Sequence, residues 1–155
     1  MLKRILIPID NGKPAARAVE AAVELAMQVR ARLAILHVID VTAAYMPELG
    51  TPNQNILGQL RRDGERLMAS TMSRLPASLK CEQIVVEGEP AGAIISAARE
   101  WNADLIVIGN DSRGRSGHFL LGTTADAVIR RAPCPVMALR ADARIGEPQS
   151  SAAAI

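Results

Sequence analysis

Residues 2–40 read LKRILIPIDNGKPAARAVEAAVELAMQVRARLAILHVID, and the hydrophobic period changes twice along them. Leu2–Ile9 is a short run rich in aliphatic and β-branched residues, closed by Asp10, Asn11 and Gly12. Such near-continuous apolar character belongs to a strand buried on both faces. From Pro14 to Val29 the spacing becomes helical. Ala15, Ala18, Val19, Ala22, Ala26 and Val29 share one face, while Arg17, Glu20, Glu24 and Gln28 fall on the other. Leu33–Ile39 then returns to the strand pattern. Strand, helix and strand in this order form a βαβ unit with parallel strands and a right-handed crossover.

The alternation continues outward from this unit. Asp40–Asn55 is interrupted by Pro47, Gly50 and Pro52, which predicts a mobile loop placed to act as a lid after the second strand. A helix is expected from Asn55 or Ile56, on a stripe of Leu57, Leu60, Leu67, Met68, Thr71, Met72 and Leu75, with Gly58 and Gly64 weakening it locally. Cys81–Glu87 is a third strand. EPAGAIISAAREWN (89–102) is a third helix with Pro90 in its first turn and Ala91, Ile94, Ile95 and Ala98 inward. ADLIVIG (103–109) is a fourth strand. Thr123–Arg131 makes a fourth helix with Ala125, Val128 and Ile129 inward, and CPVMALR (134–140) the last strand. The expectation is an α/β fold, an open doubly wound five-stranded parallel sheet with four helices on both faces. It occupies one domain over residues 1–140, and 141–155 reads as a flexible tail.

Composition agrees with that reading. A chain of 155 residues buries roughly 70% of its unfolded surface, enough for a core without staples. Apolar residues make up 49% and aromatics 2%, the aliphatic mixture of parallel sheets under Ala-rich helices. A formal charge of +2 is too small an electrostatic footprint for nucleic acid, and three aromatic side chains make no stacking platform. Cys81 and Cys134 have neither metal-ligand spacing nor a disulfide framework around them. A reducing, cytoplasmic setting is expected. The first apolar run ends at Asp10, short of a signal-peptide core, and no apolar segment approaches the ~20 residues that span a bilayer. A soluble protein without a membrane partner follows.

In doubly wound sheets, ligands sit beyond the carboxyl ends of the strands where the winding reverses. Two strand ends carry unusual chemistry. PIDNG (8–12) places Asp10 where its carboxylate either accepts hydrogen bonds from a ligand amine or hydroxyl, or caps the first helix or its turn. The second stretch, GNDSRGRSGHFLLGTT (109–124), is more than twice as long as a βα connection of about two to six residues. Its glycines let backbone N–H groups approach a ligand closely. Thr123 and Thr124 open a helix whose orphan amides and dipole favour phosphate, and Arg113 and Arg115 add charge. The alternative is that Gly114 and Gly117 make turns, Thr123 is an ordinary N-cap and the arginines are solvated. No Lys follows Cys81, so there is no P-loop, and the first βα turn lacks the dinucleotide fingerprint.

The span from KRILIPID through HVID, EGEPAGAIISAARE, ADLIVIG and LLGTTADAVIRRAPCPVMALR resembles the universal stress protein family over residues 2–140. The resemblance implies the strand order 3-2-1-4-5, ATP binding in one branch and homodimers paired through the last strand. Its nucleotide motif is G-x2-G-x9-G-[ST] after the fourth strand. Gly109, Gly122 and Thr123 match the first, third and fourth fixed positions, and Ser112 replaces the second glycine. By resemblance, backbone at Ile9 and Val38 contacts adenine and Asp10 the ribose or adenine region. Gly109 and Ser112 meet the phosphates, and Gly122, Thr123 and Thr124 the ribose-triphosphate portion. Pro8, Ile108, Arg113 and Gly114 complete the lining.

The implied ligand is ATP, with Mg2+, or else ADP or AMP. Nothing in the stretch resembles a catalyst: general-base candidates near the phosphates are limited to Asp111, Asp126 and His118, and no pair of carboxylates is spaced for metal. A regulatory module with little or no turnover is the leading function, ahead of a scaffolding member without nucleotide and of a slow ATP hydrolase. His37 is expected as a satisfied core side chain and Cys134 in packing. Pro135–Leu139, an edge strand with exposed backbone, is expected to pair with its copy in a homodimer.

Overall fold

The computed structural model describes residues 1–110, 124–142 and 144. Within them the strands are β1 (Arg4–Pro8), β2 (Arg32–Asp40), β3 (Tyr45–Met46), β4 (Thr51–Pro52), β5 (Cys81–Gly88), β6 (Leu105–Gly109) and β7 (Val136–Leu139). The helices are α1 (Lys13–Val29), α2 (Gln54–Ser73), α3 (Pro90–Glu100) and α4 (Thr124–Arg131). Five strands form one parallel sheet in the order β5-β2-β1-β6-β7. Counting only the strands of that sheet, this is the expected 3-2-1-4-5.

Strand period splits the core into two layers. Ile5, Ile7, Leu33, Ile35, Leu105 and Val107 pack with Ala18, Ala22 and Ala26 of α1 and Met68 of α2. Leu6, Ala34, Leu36, Ile106 and Ile108 face the other way, onto Ala91, Ile94, Ala97 and Ala98 of α3 and Ala125 and Val128 of α4. β1 lies at the centre with Ile5, Leu6 and Ile7 fully buried, which is why its sequence reads apolar without alternation. The alanine stripe at every fourth residue of α1 brings that helix close to the sheet. Two expected inward residues point out instead: Val29 is 41% and Ile129 48% exposed. Val29 is the last residue of α1, and α4 already buries Ala125 and Val128 on its packed face.

The segment after β2 is more ordered than its composition suggested. Asp40 Oδ1 accepts from the backbone N of Thr42 at 2.9 Å and opens a 3-10 helix over Val41–Ala44. β3 and β4 then pair antiparallel, with Gly50 at φ +64° in the turn between them. Ala44 is buried with Ile39 and Leu57 in a small cluster of its own. A 3-10 turn and two-residue strands are too short to leave a period in the sequence. The segment is therefore a small folded insert, which corrects the expected loop. α2 starts one residue early, at Gln54, because the Asn53 side chain accepts from the backbone N of Asn55 and Ile56.

Candidate functional site

β1 is flanked by β2 on one side and β6 on the other, so the winding reverses between β1 and β6. Where these strands end, a cleft of about 260 Å³ opens. β1 contributes Pro8 and the following Ile9 and Asp10, β2 Leu36, His37, Val38 and Asp40, and β6 Ile108 and Gly109. The first turns of α1, α3 and α4 add Ala15, Pro90, Ile94, Thr124 and Ala125. Seven expected contacts, Pro8, Ile9, Asp10, Val38, Ile108, Gly109 and Thr124, are thus brought to one cleft. Ser112, Arg113, Gly114, Gly122 and Thr123 lie outside the described residues, as do Asp111, Arg115, Gly117 and His118.

The Asp10 carboxylate is exposed, and its Oδ1 accepts from the backbone N of Gly12 at 2.7 Å. Gly12 itself occupies the N-cap of α1 without a side-chain bond. Asp10 therefore closes the turn that leads into the helix, while Oδ2 has no hydrogen-bond donor among the described residues. The turn reading left open by the sequence is thus observed, and Asp10 is also among the residues that line the cleft.

Gly109 has a reason of its own to be glycine. A Cβ built there would stand 2.4 Å from Ala15 N and 2.4 Å from the Pro14 carbonyl carbon. The first turn of α1 rests on the end of β6, a backbone-to-backbone approach that no side chain allows. Asp10 and Gly109 both line the cleft.

His37 is half-buried, and its Nδ1 lies 3.1 Å from the Ile9 carbonyl oxygen. The contact ties the end of β2 to the backbone that leaves β1. On its other side the ring lies against α2, where a Cβ on Gly64 would meet His37 Cδ2 at 2.7 Å. His37 is hydrogen-bonded as expected, yet it also lines the cleft. Asp40 was missed as a lining residue, although its position at the end of HVID parallels that of Asp10 at the end of PIDNG. Leu36, Ala15, Pro90 and Ile94 carry no chemical signal by which sequence reading finds them.

A cleft of 260 Å³ is slightly smaller than the roughly 300–1,000 Å³ of pockets that enclose a drug-sized ligand. Its described walls combine apolar Val38 and Ile108 with Asp10 and Asp40. Among the described residues no group of three or more His, Cys, Asp or Glu is arranged to hold a metal ion. Cys81 packs in one layer of the core and Cys134 in the other, so the sheet separates the two thiols. Burial, the largest cause, raises the pKa of each above the usual thiol value. No helix among the described residues is long and apolar enough to cross a membrane.

The family model described as the universal stress protein family matches residues 1–140. This chain belongs to the universal stress protein family. A curated relative, universal stress protein YxiE of Bacillus subtilis, is 31% identical over 150 residues, covering 90% of this chain and all of the relative. Among solved structures, universal stress protein UspA from Lactobacillus plantarum superposes with a TM-score of 0.73 at 27% identity, covering 89% of this chain and 97% of that one. A universal stress protein solved in complex with cAMP has a TM-score of 0.69 at 22% identity, covering 88% and 96%. An Arabidopsis thaliana family member solved with AMP bound has a TM-score of 0.64 at 20% identity, covering 89% and 91%. At those last two identities the likeness is one of fold. Within the universal stress protein fold, the cleft of this chain sits at the reversal of winding between β1 and β6.

Proposed function

We propose that this universal stress protein binds an adenine nucleotide in the cleft between β1, β2 and β6 and acts in the cytoplasm as a homodimeric regulatory module with little or no turnover. The observation that carries this reading is the gathering of Pro8, Ile9, Asp10, Val38, Ile108, Gly109 and Thr124 around one cleft at the winding reversal. The cAMP and AMP complexes of two structural relatives support the ligand class. ATP with Mg2+ is the first choice, with ADP or AMP as alternatives; such a ligand brings an aromatic base, ribose hydroxyls and a polyphosphate. Val38 and Ile108 flank the base, backbone groups near Ile9 and Val38 read its edge, and the free oxygen of Asp10 accepts from a ribose hydroxyl or the adenine amine. Phosphate contacts fall to Gly109, Ser112, Arg113, Gly114, Gly122 and Thr123, with Thr124 at the start of α4.

The dimer would form at β7. Only four residues long, β7 pairs with β6 on one side and has no strand on its other side among the described residues, with Met137 41% exposed. Pairing with a second copy satisfies that backbone and covers the side chain. In sedimentation velocity at micromolar concentration, the native chain is expected as a dimer and Met137→Lys as a monomer. A native monomer would remove this part of the proposal.

The nucleotide reading is tested by calorimetric titration with ATP and magnesium, after any co-purified nucleotide has been removed. Native protein should bind, Gly122→Val should not, and Asp10→Ala should bind about ten- to a hundredfold more weakly, the loss expected of one hydrogen bond to a charged group. Steady phosphate release abolished by Asp111→Ala would instead mark an ATP hydrolase. If the native protein takes up no nucleotide, Ser112 at the motif's second glycine favours the scaffolding reading.

A further inference from the structure

The parallel ladder between β1 and β2 stops one rung before its register requires. Arg32 N donates to Lys3 O and Ile9 N to Leu36 O, both at 2.8 Å, so the even-numbered residues of β2 turn their backbone groups toward β1. Leu33 N donates to Lys80 O at 3.0 Å, and the odd-numbered residues turn toward β5. Pro8 stands opposite Leu36, so the next rung would run from Val38 N to Ile9 O. That rung is not made. Among the described residues, Val38 N and Val38 O find no hydrogen-bond partner on this side of β2.

A side chain takes the Ile9 carbonyl instead. His37 Nδ1 lies 3.1 Å from Ile9 O, and because a carbonyl oxygen only accepts, Nδ1 carries the proton of this bond. The ring fits there because α2 makes room for it. A Cβ on Gly64 would stand 2.7 Å from His37 Cδ2 and 2.9 Å from Nε2, and glycine is otherwise a poor residue for a helix interior. Ile9, His37 and Val38 line the cleft, whereas Gly64 does not.

We propose that His37 is a positioning residue for the nucleotide. By occupying the Ile9 carbonyl it ends the β1–β2 ladder, and it leaves the Val38 N–H and C=O unpaired at the cleft as a donor and an acceptor for the edge of the base. The inference rests on the nucleotide reading above and narrows it: Ile9 N–H is committed to Leu36 and its C=O already accepts from His37, so Val38 reads the base. Such a pair matches adenine in kind, since an adenine edge sets an accepting ring nitrogen beside a donating amine. Without the imidazole, Val38 N–H closes onto Ile9 O, and the sheet takes the donor that the ligand needs.

Residue-resolved amide hydrogen exchange in nucleotide-free protein reads the first half of this, and calorimetric titration with ATP and magnesium the second. In the native chain Val38 N–H should exchange at least about tenfold faster than Leu36 N–H, and ATP should protect it. His37→Ala should slow exchange at Val38 as the missing rung forms, and weaken ATP binding about three- to tenfold, the effect of one hydrogen bond. His37→Asn, whose side-chain amide reaches the place of Nδ1, should restore both. Gly64→Ala displaces the ring from outside the cleft and should move both readings in the direction of His37→Ala. A histidine that merely held the fold together would cost stability on removal without adding protection at Val38. Native, nucleotide-free protein in which Val38 is as protected as Leu36 overturns the inference and leaves the nucleotide reading standing. So does a loss of ATP affinity in His37→Ala with no gain of protection at Val38. Fast exchange at Val38 in a native protein that takes up no ATP overturns the nucleotide reading itself, and this role with it.

Discussion

Replacing Gly109 by Ala tests whether the first turn of α1 truly rests on the end of β6. The added methyl would lie 2.4 Å from both Ala15 N and the Pro14 carbonyl carbon, more than 1 Å inside the ~3.5 Å separation at which non-bonded heavy atoms are content. Both obstacles are backbone atoms of a helix held to the sheet by Ala18, Ala22 and Ala26, all fully buried. Relief therefore requires α1 to shift rather than a side chain to rotate. Overpacking of this sort costs about 1–3 kcal/mol, and a rigid obstacle places Gly109→Ala near the upper end, about 3 kcal/mol. For a domain of this size that lowers Tm by about 6–12 °C. The assay is thermal and urea unfolding in nucleotide-free buffer, followed by Trp101 emission and far-UV circular dichroism. A loss below about 0.5 kcal/mol would refute the packing argument, because only an open position tolerates the methyl so well. The same result would return Gly109 to a purely ligand-facing role.

Two other glycines should respond in opposite directions. Gly58 lies within α2, and its Cβ would meet nothing closer than Arg62 Nη1 at 3.6 Å, so Gly58→Ala should stabilise by about 0.8–1 kcal/mol in urea unfolding. Gly64, also in α2, faces the His37 ring at 2.7 Å, and Gly64→Ala should destabilise despite the better helix propensity; in a double-mutant cycle His37→Ala should remove much of that loss. Asp104 accepts from the backbone N of Lys3 and of Arg4 at 2.9 Å each, and the Lys3 bond is the largest cause holding its carboxyl below the ordinary value of 3.8. A carboxyl depressed in the folded state contributes stability above its unfolded pKa and loses it as pH falls through the folded one. Asp104→Asn should therefore be less stable than native at pH 7, with the gap closing below about pH 4 in chemical denaturation.

The elements of the sheet were largely legible because burial imposes a period. β1 reads apolar throughout since both of its faces are covered, and α1 announces itself through alanines on one side. Chain ends and edges are less legible, since partial cover weakens the period there. Val29 and Ile129 were expected inside because their spacing is helical, but neither lies over the core. The insert between β2 and α2 escaped for a different reason: its order comes from an Asp40 turn, two-residue strands and the burial of Ala44, none of which repeats.

Half of the candidate site could be named from strand ends, because doubly wound sheets put ligands there. Pro8, Asp10 and Gly109 were found by that rule, Val38 came from the family resemblance, and Asp40 was missed although it obeys the same rule. The sequence by itself determined the alternation of strand and helix, the family and the residues that end each strand, since these depend on local period and short motifs. The tertiary structure alone decided that Gly109 serves the approach of α1, that one Asp10 oxygen is held by Gly12, and that β5 and β7 are the outer strands of the sheet among the described residues. Each of those facts depends on which backbone lies next to which across the sheet, and such neighbours are fixed by the packing of distant segments rather than by any local pattern.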